Sequence, residues 1–129
     1  DGTVLASIDN LVSINSAVEV DLTGQVNAEM VRGRQLSGTG GSVDFMRGAS
    51  ASRGGRSILA MNATAAAGKH SRIVRQLAAD ATVTALRTDI DYVVTEFGIA
   101  HLRYLPLGQR RDALIEIAAP QFRDALKGE

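Results

Sequence analysis

The sequence contains no cysteine and no tryptophan. The lack of cysteine excludes disulfide scaffolds, thiol nucleophiles and Cys-ligated zinc. Aromatic residues make up only 4% of the chain, and the net charge is zero, 14 Lys and Arg balancing 14 Asp and Glu. A general nucleic-acid surface is basic and a base-stacking platform is aromatic, so neither is indicated. No apolar run approaches the roughly 20 residues that cross a bilayer, and no charged n-region followed by an apolar h-region opens the chain. A cytoplasmic domain without membrane or nucleic-acid partners is the resulting expectation.

What is present suffices for one globular domain, 129 residues of which 45% are hydrophobic. A chain of this size buries roughly two thirds of the surface its unfolded form exposes and needs no staple to hold a core. The neutral sum is built from unequal parts. Residues 1–30 hold five acids and no base, whereas residues 31–77 hold eight bases and the single acid Asp44. Seven of the thirteen glycines fall in residues 33–55, among them Gly38, Gly40 and Gly41. Glycine lets backbone N–H groups converge on a ligand, and arginine supplies planar donors for phosphate or carboxylate. An anion-binding loop and a solvated surface loop fit this stretch equally well.

Alternation of apolar and polar residues over Leu11–Leu22 predicts one or two strands, and Thr23-Gly24-Gln25 a turn, so residues 11–31 read as a β-hairpin. Residues 35–42 read as loop, with Ser42 or Asp44 capping a short helix to about Ala51. Ser57–Ala63 is a compact apolar run expected to form a buried strand. Ile73–Leu77 and Ala81–Leu86 are strand candidates, although Ser71–Ala79 also suits a helix. Tyr92–Thr95 reads as a short buried strand that places Glu96 at its carboxyl end, where ligands sit in open α/β sheets. Glu96-Phe97-Gly98-Ile99-Ala100 is expected to begin a turn or helix. Leu107–Ala118 follows as a helix, and Pro120 opens a last one through Leu126.

Most familiar chemistries fail on spacing. His70 and His101 have no ligand-spaced partners, so no metal site is expected. Gly68-Lys69 is followed by His70 rather than the hydroxyl of a phosphate-binding P-loop. Gly38-Thr39-Gly40-Gly41 lacks the third glycine and the preceding hydrophobic strand of a dinucleotide fingerprint. A Gly-x-Ser-x-Gly elbow is absent. Two features remain: a glycine cluster able to aim N–H groups at an oxyanion, and Glu96, set between an apolar strand and a glycine. Glu96 reads either as a substrate-holding carboxylate or as a structural one that caps a helix or pairs with an arginine.

Taken in order, residues 12–30 (VSINSAVEVDLTGQVNAEM), 38–58 (GTGGSVDFMRGASASRGGRSI), 71–74 (SRIV) and 93–103 (VVTEFGIAHLR) closely resemble the C-terminal domain of the acetyl-CoA hydrolase/transferase family. Its members are class I coenzyme A transferases of the 4-hydroxybutyrate and succinyl-CoA:acetate kind. The resemblance implies an α/β fold of the CoA-transferase type, a mixed, mostly parallel sheet flanked by helices. It further implies that residues 1–129 are the C-terminal domain of a longer two-domain chain, dimeric at full length, whose domains face each other across the active site.

In that family a glutamate carboxylate attacks acyl-CoA, and a ping-pong sequence through a glutamyl-CoA thioester moves CoA to a small carboxylate. No cofactor is held permanently, since coenzyme A and acyl-CoA are substrates. The resemblance assigns an oxyanion N–H to Gly41 beside Gly40, CoA contacts to Gly38, Gly41 and Lys69, and a non-nucleophilic active-site role to Glu96. Two departures matter. The segment that carries the family's nucleophilic glutamate precedes the matched region, and neither Glu19 nor Glu29 replaces it. Relatives commonly show Lys-Gly-Gly before SRIV, where this chain has Ala66-Ala67-Gly68-Lys69. An acyl-CoA hydrolase and a non-catalytic CoA-binding module are the alternatives. The purified 129-residue chain is expected to transfer no CoA between acyl-CoA and acetate in a thioester-exchange assay; a rate comparable with a full-length relative would place the nucleophile within it.

Overall fold

The computed structural model describes residues 12–27, 30–31, 34–35, 53–77, 83 and 89–128. Its centre is a four-stranded sheet in the order β1-β6-β10-β11, formed by β1 (Val12–Asn15), β6 (Arg56–Ala60), β10 (Tyr92–Thr95) and β11 (Gly98–His101). β6 runs parallel to β1 and to β10, and β11 closes the edge antiparallel to β10. A second sheet, β3-β2-β9, joins β2 (Glu19–Asp21) to β3 (Val26–Asn27) antiparallel and to β9 (Ile73–Val74) parallel. Two small antiparallel ladders complete the strands: β4 (Met30–Val31) with β5 (Arg34–Gln35), and β7 (Thr64–Ala65) with β8 (His70–Ser71). The chain ends in α1 (Leu107–Ile117), a 3₁₀ turn (Pro120–Phe122) and α2 (Arg123–Lys127). This is the expected α/β fold with a mixed sheet.

Leu11–Leu22 yields two strands, as its broken alternation implies, but they part company. β1 pairs with β6, so the hairpin expected over residues 11–31 shrinks to β2 and β3, with Glu19 opposite Asn27. The turn between them is built by Asp21, whose Oδ1 accepts the N–H of Thr23 (2.9 Å), the N–H of Gln25 (3.0 Å) and the hydroxyl of Thr23 (2.6 Å). Short carboxylates favour such turns because they satisfy amides that have no ladder partner. Ile73–Val74 is strand rather than helix. Within Glu96 to Ala100, expected to begin a turn or helix, Glu96-Phe97 is a two-residue hairpin turn with Thr95 opposite Gly98, and the chain from Gly98 onward is strand rather than helix. The segments around Thr3–Asp9, Ser42–Ala51 and Ala81–Leu86 lie outside the described residues, apart from the single position Val83.

One face of the central sheet is packed. Ser13, Ser57, Leu59, Val93, Thr95 and Ala100 are buried there, and α1 lies across β11 and β10. Val12, Ile14 and Ile99 point the other way and are exposed at 49%, 67% and 67%. Pairing decides this side: Ser13 sits level with Ser57 on β6, and Asn15 Nδ2 donates to the Ser13 hydroxyl at 2.8 Å. The core itself joins both sheets to the helices through Val20, Val26, Leu59, Ile73, Ile90, Val93, Leu102, Leu114 and Leu126. Arg110, buried near the start of α1, donates from Nε to Leu105 O (3.2 Å) and from Nη1 to Thr23 O (3.3 Å), tying the helix to the β2–β3 turn. α1 stops at Ala118 because Ala119 precedes Pro120 and is extended.

The β7–β8 turn holds two alanines in the left-handed region, Ala66 (φ 54°) and Ala67 (φ 56°), followed by Gly68 (φ 89°). A Cβ there costs about 1–2 kcal/mol, partly offset by the extra unfolded-state freedom of glycine. A67G and A66G are each expected to stabilise the chain by about 0.5–1 kcal/mol, read as a higher urea midpoint with an unchanged m-value.

Candidate active site

The carboxyl ends of the parallel strands β1, β6 and β10 lie side by side, since Asn15 is level with Leu59 and Val94 with Ala60. Chain leaving β6 continues through Met61, whose N–H donates to Val94 O at 3.0 Å, and reaches Ala63, which is fully buried. There Glu96, leaving β10, closes the edge: its Oε1 accepts the Ala63 N–H at 2.6 Å. A charged acceptor on a backbone N–H is among the stronger neutral-to-ionic contacts. The Ala63 carbonyl in turn accepts the Arg72 N–H at 2.8 Å. Glu96 itself is exposed, so its apolar neighbours in sequence do not enclose it. Thr95 turns inward to the helix and Phe97 remains 45% exposed.

Of the structural roles considered for Glu96, helix capping is excluded by its place in a hairpin turn. The partner the structure gives it is an amide 33 residues upstream. Nothing in the sequence marks Ala63, because a backbone N–H carries no residue signature.

Lys69 lies elsewhere. It borders an open pocket of about 750 Å³ between β2, the β7–β8 ladder, β9 and α2, together with Glu19, His70, Arg72, Arg75, Phe122 and Leu126. Glu96 does not line it. Arg72, central to the SRIV motif, is committed to main-chain carbonyls: Nε to Thr64 O (3.2 Å), Nη1 to Val18 O (3.1 Å) and Ala17 O (3.4 Å). Its role is to hold the pocket's walls together, which leaves Lys69 and Arg75 as the pocket's other side-chain cations. Gly38, Gly40 and Gly41 fall outside the described residues. Among the described residues no cluster of His, Asp or Glu could hold a metal ion, and no helix is long and apolar enough to cross a membrane.

Comparison with known proteins gives a consistent result. The acetyl-CoA hydrolase/transferase C-terminal domain family matches residues 1–129. The chain is 52% identical over 126 residues to a 4-hydroxybutyrate coenzyme A transferase of Clostridium kluyveri, covering 98% of this chain and 29% of that protein. It is 46% identical over 125 residues to a butyryl-CoA:acetate CoA-transferase of Anaerostipes caccae, covering 95% of this chain and 28% of that protein. A crystal structure of 4-hydroxybutyrate CoA-transferase from Porphyromonas gingivalis superposes with a TM-score of 0.80 at 44% identity, over 99% of this chain and 28% of the other. The chain thus spans under a third of the length of the curated relatives it matches.

Truncating Glu96 strands a buried donor. E96A is expected to destabilise the chain by about 1–3 kcal/mol, because the Ala63 N–H loses its acceptor. E96Q keeps an acceptor oxygen and is expected to cost less; urea unfolding of the two variants separates the cases.

Proposed function

Because the chain belongs to the acetyl-CoA hydrolase/transferase family, as its C-terminal domain, we propose that the full-length protein moves CoA between an acyl-CoA and a small carboxylate of the acetate or 4-hydroxybutyrate kind. The observation that carries this reading is the placement of Glu96: an exposed carboxylate held by the Ala63 N–H at the carboxyl edge of the parallel strands, where ligands sit in open α/β sheets. The activities of the relatives named above support the reaction class.

The nucleophile belongs to an N-terminal domain outside this segment. Its glutamate carboxylate attacks the thioester carbonyl, the C–S bond breaks, and CoA leaves as a thiolate from an acyl-glutamyl anhydride. The thiolate then attacks the glutamyl carbonyl, releasing the first carboxylic acid as its anion and leaving a glutamyl-CoA thioester. The incoming carboxylate reverses both steps. Gly41, with Gly40 beside it, supplies an N–H to the tetrahedral oxyanion, where one such donor is worth roughly 10²–10³ in kcat.

For coenzyme A, Gly38, Gly41 and Lys69 are the contacts. The pocket beside Lys69 suits a ligand that combines phosphates with apolar atoms, since its cations stand next to Ile73, Phe122 and Leu126. The full-length protein is read as a cytoplasmic homodimer with no resident cofactor.

Borohydride added to the full-length protein in the presence of acyl-CoA is expected to trap a reduced glutamyl adduct that peptide mass spectrometry places N-terminal to this segment. CoA is expected to appear on the acceptor only when a carboxylate acceptor is present. Release of free CoA at the same rate without acceptor identifies a hydrolase, and absence of both adduct and turnover identifies a binding module.

A further inference from the structure

The turn that carries Glu96 and the end of α1 share one hydroxyl. Thr95 Oγ1 donates to Ile117 O at 2.6 Å and accepts the Phe97 N–H at 3.1 Å, and Thr95 is only 7% exposed. Glu96 and Phe97 form the whole turn between β10 and β11, so this hydroxyl fixes both the shape of the turn and its height above the helix. The turn also lies close to the helix end and has one further brace. A Cβ on Gly98 (φ +148°) would sit 3.4 Å from Ile117 Cγ2, so the strand passes close over the helix end. Arg123 places its guanidinium 5.8 Å from the Phe97 ring while its Nε donates to Ala118 O at 2.9 Å.

Glu96 is therefore held at two points, its carboxylate by Ala63 and its backbone by a turn fastened to the last carbonyls of α1. The Ala63 bond alone leaves the side chain free to follow any movement of the turn. The Thr95 bridge removes that movement. We propose that Thr95 is a positioning residue for Glu96, its hydroxyl spanning the turn amide and the α1 terminus so that the carboxylate leaves the sheet in one direction. The proposal rests on the reading of Glu96 as an active-site carboxylate. Valine at position 95 fills the same volume but loses both hydrogen bonds, and serine keeps both.

The test is a double-mutant cycle on the full-length enzyme, following CoA transfer from acyl-CoA to acetate. T95V is expected to lower kcat/KM by roughly 10- to 100-fold, the scale of a misplaced active-site group, and T95S to recover most of it. On an E96Q background T95V is expected to add less than about twofold, because residues that act through one another are not additive. An equal loss on both backgrounds shows that Thr95 only supports the fold and overturns the proposal. Full activity of T95V beside an impaired E96Q overturns the proposal while leaving the reading of Glu96 intact. Full activity of E96Q overturns that reading, and this proposal with it. Should T95V fail to fold, T95A takes its place in the cycle.

Discussion

A peptide group shut off from water must find its hydrogen-bond partners inside the fold, and at Ala63 the two partners come from distant parts of the chain. The N–H meets the Glu96 carboxylate, and the carbonyl meets the N–H of Arg72. Arg72 passes the connection on, since its own carbonyl accepts the Val20 N–H at 2.8 Å. A single line of bonds thus runs from the central sheet through the chain after β6 into the second sheet. The site depends on this line, because it fixes where β10 ends relative to everything that follows β6.

Polar residues within or beside the motifs that carry the resemblance build this frame. Asp21 folds the β2–β3 turn. Arg72 gathers the carbonyls of Ala17, Val18 and Thr64. Asp91, nearly fully buried, accepts the Ser57 N–H at 2.8 Å, returns its own N–H to Ser57 O, and lies 3.7 Å from Arg103 Nε. Thr95 joins the hairpin to the helix. In each case a polar side chain of low exposure replaces ladder bonds that strands only two to five residues long leave unmade, and loss of one partner would strand a buried group. These residues serve the scaffold, and Glu96 is the exposed carboxylate that it presents.

The same scaffold immobilises the turn that carries Glu96. The β10–β11 turn is fixed from three directions: Ala63, the α1 terminus and Arg123. Lys69 occupies a different setting, on a turn whose two left-handed alanines store strain. Glu96 does not line the Lys69 pocket, so the two stand as separate features of the described structure.

Several elements were legible from local pattern. Alternation marked β1 and β2, the compact apolar run at Ser57 marked β6, Tyr92–Thr95 read as the short buried strand β10, and Pro120 opened the last helical segment. Motif order supplied the family, and the strand–Glu–Gly context of Glu96 supplied a candidate carboxylate at a strand's carboxyl end. These are properties of neighbours in sequence, which period and turn chemistry report directly. Pairing was not legible. That β1 leaves β2 for β6, that Ser13 rather than Ile14 faces inward, and that Gly98 begins a strand all follow from register between segments dozens of residues apart. The partner of Glu96 was least legible of all, because it is a main-chain N–H 33 residues away, and a backbone donor is the same at every residue until the tertiary fold chooses one.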